Sequence, residues 1–257
     1  MPFTLFDTHI HLDDPRYLDL QGQLIAEAQQ KGISHFLIPG TTRQRLETQL
    51  SLLDNYSCCY GAIGLHPWFN HADSDLHSLK SSLPHPKIIA IGEIGLDFML
   101  AKDSFDHQEK LFSKQLEWAV ESNLPVILHV RKAHQRVLHI LKQFKFKNGG
   151  IVHAYSGSFE QSREYIHLGF KLGIGGVITH EHATRRRSFC QQLSDQDYVL
   201  ETDGPDMLVA NKEKGSINKP VYLMEIAQSL AELRNQSIEN IAAINNDNAN
   251  QVLRLST

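Results

Sequence analysis

Short apolar runs alternate along the chain with longer segments in which apolar residues recur at helical spacing. The apolar runs predict eight strands: Phe3–Phe6, Ile33–Ile38, Cys58–Ile63, Ile88–Ile91, Pro125–Leu128, Ile151–Val152, Lys171–Ile174 and Tyr198–Leu200. The longer segments predict helices over Leu20–Lys31, Arg43–Asn55, Asp75–Leu83, Phe105–Ser122, Ala133–Phe144, Glu160–Leu168, His182–Leu193, Pro220–Leu233 and Ile238–Leu253. Repeated strand–helix alternation is typical of an α/β fold with a parallel sheet.

The repetition predicts a TIM (β/α)8 barrel, with residues 1–257 forming a single domain. An open doubly wound sheet is the alternative, because periodicity does not reveal whether the sheet closes. Both folds gather their chemistry at the C-terminal ends of the strands. Candidate site residues are therefore expected at those ends.

Composition narrows the class of protein. Of the 257 residues, 41% are hydrophobic, which is enough for the core of one barrel. The net charge of −4 provides no basic field for nucleic acid or membrane, so an anionic substrate must be held by local charge. The three cysteines lack the spacing of a disulfide framework or a zinc site. Neither a signal peptide nor a membrane-spanning run is predicted, and a cytoplasmic location is expected.

Two histidines, His9 and His11, follow the first predicted strand. Side chains at i and i+2 of a strand point to the same face, so this pair would aim two imidazoles at one point. The pair alone is a weak signal, because a single histidine is more often an ordinary core or surface residue. Four further groups that can ligate a metal end other predicted strands, namely Glu93, His129, His153 and Asp203. Together the six groups predict a metal centre.

Six ligands exceed the four that one tetrahedral ion takes, and they suit two divalent ions that share a carboxylate. Glu93 comes from a middle strand and is the predicted bridge. The predicted ligands of the first ion are His9, His11, Glu93 and Asp203, and those of the second are Glu93, His129 and His153. Two divalent cations bring +4 and the two carboxylates remove 2, which leaves about +2 for a hydroxide and a phosphodiester. Four imidazoles favour Zn²⁺ or Mn²⁺.

Other polar residues near the strand ends have weaker assignments. His66 is predicted to bind substrate, with packing of its loop as the alternative. Arg131 is predicted to bind a phosphate oxygen as a fork, with a surface ion pair as the alternative. Asp7 is predicted to orient an imidazole, and Glu201 is predicted to support a ligand, to act as an extra ligand or to form a buried ion pair.

The motifs resemble, in order and over the whole chain, those of TatD-like metal-dependent deoxyribonucleases. They are Asp7-Thr8-His9-Ile10-His11-Leu12, Gly64-Leu65-His66-Pro67, Gly92-Glu93-Ile94-Gly95-Leu96-Asp97, His129-Val130-Arg131, His153-Ala154-Tyr155-Ser156-Gly157 and Glu201-Thr202-Asp203. The resemblance implies a TIM-type barrel of the amidohydrolase superfamily and metal-dependent hydrolysis of phosphodiesters, often exonucleolytic on DNA. It implies the same six metal ligands, His9, His11, Glu93, His129, His153 and Asp203, and it adds Mg²⁺ to the candidate ions.

The predicted function is that of a deoxyribonuclease with exonuclease activity, acting on DNA or another phosphodiester. Glu93 and Asp203 are the predicted catalytic residues, with a water between the two ions attacking phosphorus and Asp203 accepting its proton. The alternative is an amidohydrolase-type enzyme acting on a lactone, a cyclic amide or a small phosphate ester. A metal-binding scaffold without activity is a third hypothesis, and no obligate protein partner is indicated.

Overall fold

The computed structural model describes residues 3–213 and 215–255. Within this part of the chain, eight strands form one sheet in which each strand pairs in parallel with the next along the sequence. The strands are β1 (Leu5–Asp7), β2 (Ile33–Pro39), β3 (Cys59–Ile63), β4 (Ile88–Asp97), β5 (Val126–Arg131), β6 (Gly150–Val152), β7 (Phe170–Ile174) and β8 (Tyr198–Leu200). Every predicted strand overlaps an observed one.

The helices lie between the strands and after the last of them. They are α1 (Gln21–Gln30), α2 (Leu46–Asn55), α3 (Asp73–Lys80), α4 (Phe105–Glu121), α5 (His134–Gln143), α6 (Phe159–His167), α7 (Thr184–Gln192), α8 (Leu223–Arg234) and α9 (Ile238–Leu253). In α4 the apolar residues at helical spacing, Leu111, Phe112, Leu116 and Ala119, are all buried. None of the described helices is both long enough and apolar enough to cross a membrane.

Two clusters of buried apolar side chains pack the strands and helices together. The larger one contains most of the buried apolar side chains, including those that α4 turns toward the sheet. The smaller one takes one buried residue from each of seven strands and ends on α9, and its members are Phe6, Leu37, Ala62, Ala90, Ile127, Ile151, Val199, Ala249, Val252 and Leu253. Inward-facing side chains of successive strands fill the interior of a TIM barrel in this way, so the centre is packed and is not a pore.

The sheet closes between β8 and β1. The Thr8 N–H donates to the Leu200 carbonyl at 3.1 Å, and the Thr8 hydroxyl donates to the same oxygen at 2.9 Å. The buried Asn245 of α9 spans the same seam, since its Oδ1 accepts from the Leu200 N–H at 2.7 Å and its Nδ2 donates to the Phe6 carbonyl at 2.9 Å. These bonds confirm the predicted TIM barrel, and the alternative of an open sheet is wrong.

Two features of the strand ends bear on the site. β1 ends at Asp7, so His9 and His11 lie in the loop that follows the strand. β4 continues past its predicted end at Ile91 as far as Asp97, because its pairing with β5 resumes at Ile94 and runs to Asp97. The longer strand carries Glu93 and Asp97 into the mouth of the barrel.

We predict that the Asn245→Ala substitution weakens the closure of the barrel. It leaves the Leu200 N–H and the Phe6 carbonyl buried without a partner, and each such group costs about 1–3 kcal/mol. The expected loss in the free energy of unfolding, measured by denaturant titration, is therefore about 2–6 kcal/mol. Asn246→Ala is the matched control, because its bonds to Thr4 are exposed and water can replace them. Equal stability of the two variants would contradict the role of Asn245.

Candidate metal centre

The six predicted ligands meet at the C-terminal mouth of the barrel. They come from the ends of five strands, with His9 and His11 after β1, Glu93 in β4, His129 in β5, His153 after β6 and Asp203 after β8. Glu93 lies at the middle of the group and is only 1% exposed. Its two carboxylate oxygens face different sets of side chains.

The first set surrounds Glu93 Oε2. This oxygen lies 3.1 Å from His9 Nε2 and 3.6 Å from His11 Nε2, and the two nitrogens are 3.3 Å apart. Asp203 Oδ1 lies 3.7 Å from His9 Nε2 and 3.6 Å from His11 Nε2. Ligand bonds of about 2.1 Å in a tetrahedral arrangement place the ligands roughly 3.4 Å apart. The His9, His11 and Glu93 atoms therefore have the spacing of ligands around one ion, and Asp203 Oδ1 lies at the same spacing from both histidines.

The second set surrounds Glu93 Oε1. This oxygen lies 3.0 Å from His129 Nδ1 and 3.3 Å from His66 Nε2. His153 lies beside the first set: its ring stacks on that of His9 with centroids 3.6 Å apart, and its Nε2 is 3.4 Å from Asp203 Oδ2. His129 thus contacts the shared carboxylate directly, whereas His153 contacts Asp203.

Two carboxylates behind the imidazoles fix which nitrogen faces the centre. Asp97 Oδ2 lies 3.0 Å from His129 Nε2 and also accepts from the indole N–H of Trp68. Glu201 Oε1 lies 2.9 Å from His153 Nδ1. A carboxylate in this position keeps the proton on the far nitrogen, whose N–H points toward it, and leaves the near nitrogen to bind a metal. His129 therefore offers Nδ1 to the centre, and His153 offers Nε2.

His66 is turned the opposite way. Its Nδ1 accepts a hydrogen bond from the backbone N–H of Trp68 at 3.0 Å, so the single proton of the neutral ring is on Nε2. Burial, together with the nearby charge of His129, lowers the pKa of His66 to about 4, so the ring is neutral at neutral pH. A protonated Nε2 has no lone pair for a metal. His66 therefore has the geometry of a hydrogen-bond donor that points toward Glu93 Oε1.

The buried charges of the centre stabilise one another. Burial opposes the ionisation of Glu93, but the facing rings of His66 and His9 and the hydrogen bond from His129 hold its pKa well below the usual range. Burial also disfavours a charge on His153, but Glu201 and Asp203 raise its pKa well above the usual range. A metal ion that binds His153 must displace the proton held there by the two carboxylates, so metal binding is expected to release a proton.

A β-bulge positions Glu93. Between Ile91 and Ile94, β4 advances three residues while its partner β5 advances two, from Val126 to Leu128. The extra residue interrupts the regular alternation of side chains, and bulges near active sites redirect side chains in this way. The bulge thus lets Glu93 point into the mouth of the barrel.

Glu201 occupies space that a glycine leaves free. Its side chain is fully buried, and its Oε1 accepts from the backbone N–H of Ala154 at 2.6 Å. A Cβ atom at Gly173 in β7 would lie 2.3 Å from Glu201 Oε2, which is far inside van der Waals contact. A glycine at this position is therefore required for the carboxylate to reach His153.

Two further predicted residues lie outside this cluster. Arg131 ends β5 with an exposed side chain, and within the described residues its guanidinium makes no ion pair or hydrogen bond. The expectation that Asp7 orients an imidazole is wrong. Its carboxylate accepts from the Thr202 N–H at 3.0 Å, from the Thr202 hydroxyl at 2.5 Å and from the His9 backbone N–H at 3.4 Å. Asp7 therefore fixes the segment that carries Asp203.

The contacts of Asp97 and Trp68 with the centre are not predicted from the sequence. A signal for Asp97 was present, because it lies four residues after Glu93 in one extended segment, and an even spacing puts two side chains on one face. Trp68 had no such signal. Its contact with Asp97 depends on the fold, which brings the loop after β3 beside the end of β4.

Comparison with known proteins shows the family to which the chain belongs. The model of the TatD-related DNase family matches residues 6–254. A protein of Escherichia coli K12 named as the uncharacterized metal-dependent hydrolase YjjV is 35% identical over 240 residues, which are 92% of either chain. A protein of Rahnella named as the 3'-5' ssDNA/RNA exonuclease TatD is 31% identical over 263 residues, covering 98% of this chain and 99% of the relative.

The fold agrees with a solved structure. The crystal structure of Escherichia coli YjjV, described as a TatD homologue, superposes with a TM-score of 0.93 at 34% identity and covers 100% of both chains. The resemblance stated from the motifs is thereby confirmed, and so is the barrel that it implied.

We predict that Gly173→Ala weakens metal binding without touching any of the six predicted ligands. The new Cβ forces the Glu201 carboxylate to move, so His153 loses its support. Losing an outer-shell partner of this kind lowers metal affinity about 10- to 100-fold, which isothermal titration with Zn²⁺ measures. Gly175→Ala is the control, because a Cβ there meets nothing closer than 3.6 Å. If both variants bind zinc equally well, the assigned role of Glu201 is wrong.

Proposed function

Because the chain belongs to the TatD-related DNase family, we propose that it is a divalent-metal-dependent phosphodiesterase that removes nucleotides from DNA by exonucleolytic hydrolysis. Its membership of the family makes it a metal-dependent hydrolase. The finer assignment to nucleic acid is supported by relatives named as 3'-5' ssDNA/RNA exonucleases.

The position of Glu93 carries the proposal. One buried carboxylate presents Oε2 to His9 and His11 and Oε1 to His129, which is what a bridge between two ions requires. We assign the ligands as predicted: His9, His11, Glu93 and Asp203 for one ion, and Glu93, His129 and His153 for the other. Two such divalent ions, when bound, lower the pKa of a water and stabilise the charge that develops on the phosphoryl oxygens.

We assign to Asp203 the role of accepting the proton of the attacking water. Its Oδ1 faces His9 and His11, and its Oδ2 faces His153. Burial opposes its ionisation, but the charge and hydrogen bond of His153 lower the pKa of Asp203 to about 2, so it is a carboxylate at neutral pH. In the proposed reaction a water oxygen bonds to phosphorus while the proton of the water passes to Asp203, and the ester P–O bond breaks to release the leaving oxygen, which takes up a proton from solvent and departs as an alcohol.

Substrate binding is assigned to His66 and Arg131. The Nε2–H of His66 points into the mouth of the barrel and can donate to a phosphoryl oxygen. Arg131 ends β5 on the rim with its guanidinium exposed, so its fork of N–H groups can pair with a phosphate. A protein with a net charge of −4 needs a local cation such as the Arg131 guanidinium to hold a polyanion.

We predict that Glu93→Ala abolishes the hydrolysis of single-stranded DNA and lowers the metal content below two ions per chain. Loss of the bridge removes a ligand from both ions, so we expect a fall in kcat of at least about 10³-fold. Stripping the metals with a chelator should have the same effect, and adding Zn²⁺, Mn²⁺ or Mg²⁺ back should restore the wild-type protein only. Glu121→Ala, which removes a surface partner of Lys80, is the control.

Hydrolysis of DNA that survives both treatments would contradict the proposal. Metal-dependent cleavage of a lactone, a cyclic amide or a small phosphate ester, without hydrolysis of DNA, would instead establish the amidohydrolase-type alternative. Metal binding without turnover of any of these substrates would leave the scaffold hypothesis.

We predict that His66→Ala and His129→Ala have different consequences. Because His66 is a donor and not a ligand, its loss should raise KM for DNA about 10- to 100-fold, the worth of a hydrogen bond to a charged group, and leave the metal content unchanged. His129→Ala should lose an ion. Elemental analysis and steady-state kinetics on the two purified variants measure this difference. Loss of an ion from the His66 variant would make His66 a ligand and contradict the assignment.

A further inference from the structure

Trp68 lies on the rim of the metal centre, in the loop after β3. It is 53% exposed, although tryptophan is a residue that proteins usually bury. The centroid of its ring system lies 5.7 Å from that of His66 and 6.2 Å from that of His129. An exposed aromatic surface therefore stands beside the groups to which phosphate binding and metal ligation are assigned.

The ring is held in place although it is exposed. Its indole N–H donates to Asp97 Oδ2, and Asp97 Oδ1 accepts from the backbone N–H of Met99 at 2.8 Å. A ring that is anchored through one edge keeps its faces free and loses little conformational freedom when a ligand stacks on it. Trp68 is thus a preorganised aromatic surface.

Neighbouring residues extend this surface. Phe69 is 38% exposed and Met99 is 56% exposed. The Phe69 ring lies 5.9 Å from that of His66, and the Arg45 guanidinium lies 5.8 Å from the centroid of Phe69. Exposed apolar residues that cluster at the rim of a polar site mark a binding surface. The polar centre and the apolar rim together match a nucleotide, in which a phosphate is joined through a sugar to a planar base.

We propose that Trp68 stacks on the nucleobase next to the phosphate that is cleaved, and that this contact selects nucleic acids over other phosphodiesters. The inference rests on the proposed function and deepens it by naming the part of the substrate that is recognised. Every base has a π face, so this contact is expected to bind all four bases. The indole N–H has a separate, positioning role, because it supports Asp97 and through it His129.

The two tryptophans of the chain make a binding test direct. Trp118 lies in α4 and is only 7% exposed. In the zinc-loaded Trp118→Phe variant the emission therefore comes from Trp68 alone. We expect dAMP to quench this emission and 2-deoxyribose 5-phosphate, which has no base, to leave it unchanged. The Trp68→Phe variant, which retains only Trp118, should show no quenching. The difference between the wild-type and Trp68→Phe signals provides the same measurement if Trp118→Phe does not fold.

Steady-state kinetics distinguish the contribution of the aromatic ring of Trp68 from that of its indole N–H. Trp68→Ala and Trp68→Phe both lose the indole N–H, but only the second keeps an aromatic ring. We expect KM for single-stranded DNA to be about tenfold higher for Trp68→Ala than for Trp68→Phe, with kcat equal in the two variants. An equal KM in the two variants, or Trp68 fluorescence that dAMP does not quench, would overturn the proposal.

The two proposals fail in different ways. Binding of dAMP requires no hydrolysis, so quenching by dAMP in a protein that does not cleave DNA would refute the nuclease assignment and retain the base-binding role. Cleavage of DNA with unchanged Trp68 emission would retain the nuclease and refute the role of Trp68.

Discussion

The shared carboxylate of Glu93 is the interaction on which the rest of the site depends. A buried carboxylate is costly unless positive charge or hydrogen-bond donors surround it. Here four imidazoles do so, those of His9 and His11 on one oxygen and those of His129 and His66 on the other. The two oxygens thereby divide the mouth of the barrel into two donor sets that meet at one side chain.

The barrel fold brings these ligands together. Parallel strands end at the same rim, so ligands that lie far apart in the sequence converge without any special connection. Closure at the seam between β8 and β1 then sets the position of Asp203, whose backbone N–H donates to the His9 carbonyl at 2.9 Å. The hydrogen bonds at this seam therefore both close the barrel and position Asp203.

Around the donors, a layer of supporting groups decides which atom faces the centre. Asp97 and Glu201 lie behind two of the histidines, and Gly173 leaves the space that Glu201 fills. The backbone N–H of Trp68 makes His66 a donor, although its distance from Glu93 alone would also fit a ligand. Distances alone therefore do not identify the metal ligands; the protonation state that the surrounding contacts impose on each histidine is also needed.

The sequence predicts the barrel and the convergence of the six groups, because apolar runs mark strands and strand ends share a rim. It does not predict the bulge at Glu93, since a one-residue shift between β4 and β5 leaves no mark in the apolar pattern. The same limit explains the error at Asp7: alternation places it on the face of His9, but its actual partner, Thr202, is 195 residues away. Contacts between distant loops, such as that of Trp68 with Asp97, follow from the packed barrel only.

Anomalous diffraction from a crystal of the zinc- or manganese-loaded protein tests the central claim most directly. The account predicts two anomalous peaks per chain, roughly 3.5–4 Å apart, with one oxygen of Glu93 bound to each. A single peak, or two peaks of which only one contacts Glu93, would contradict it.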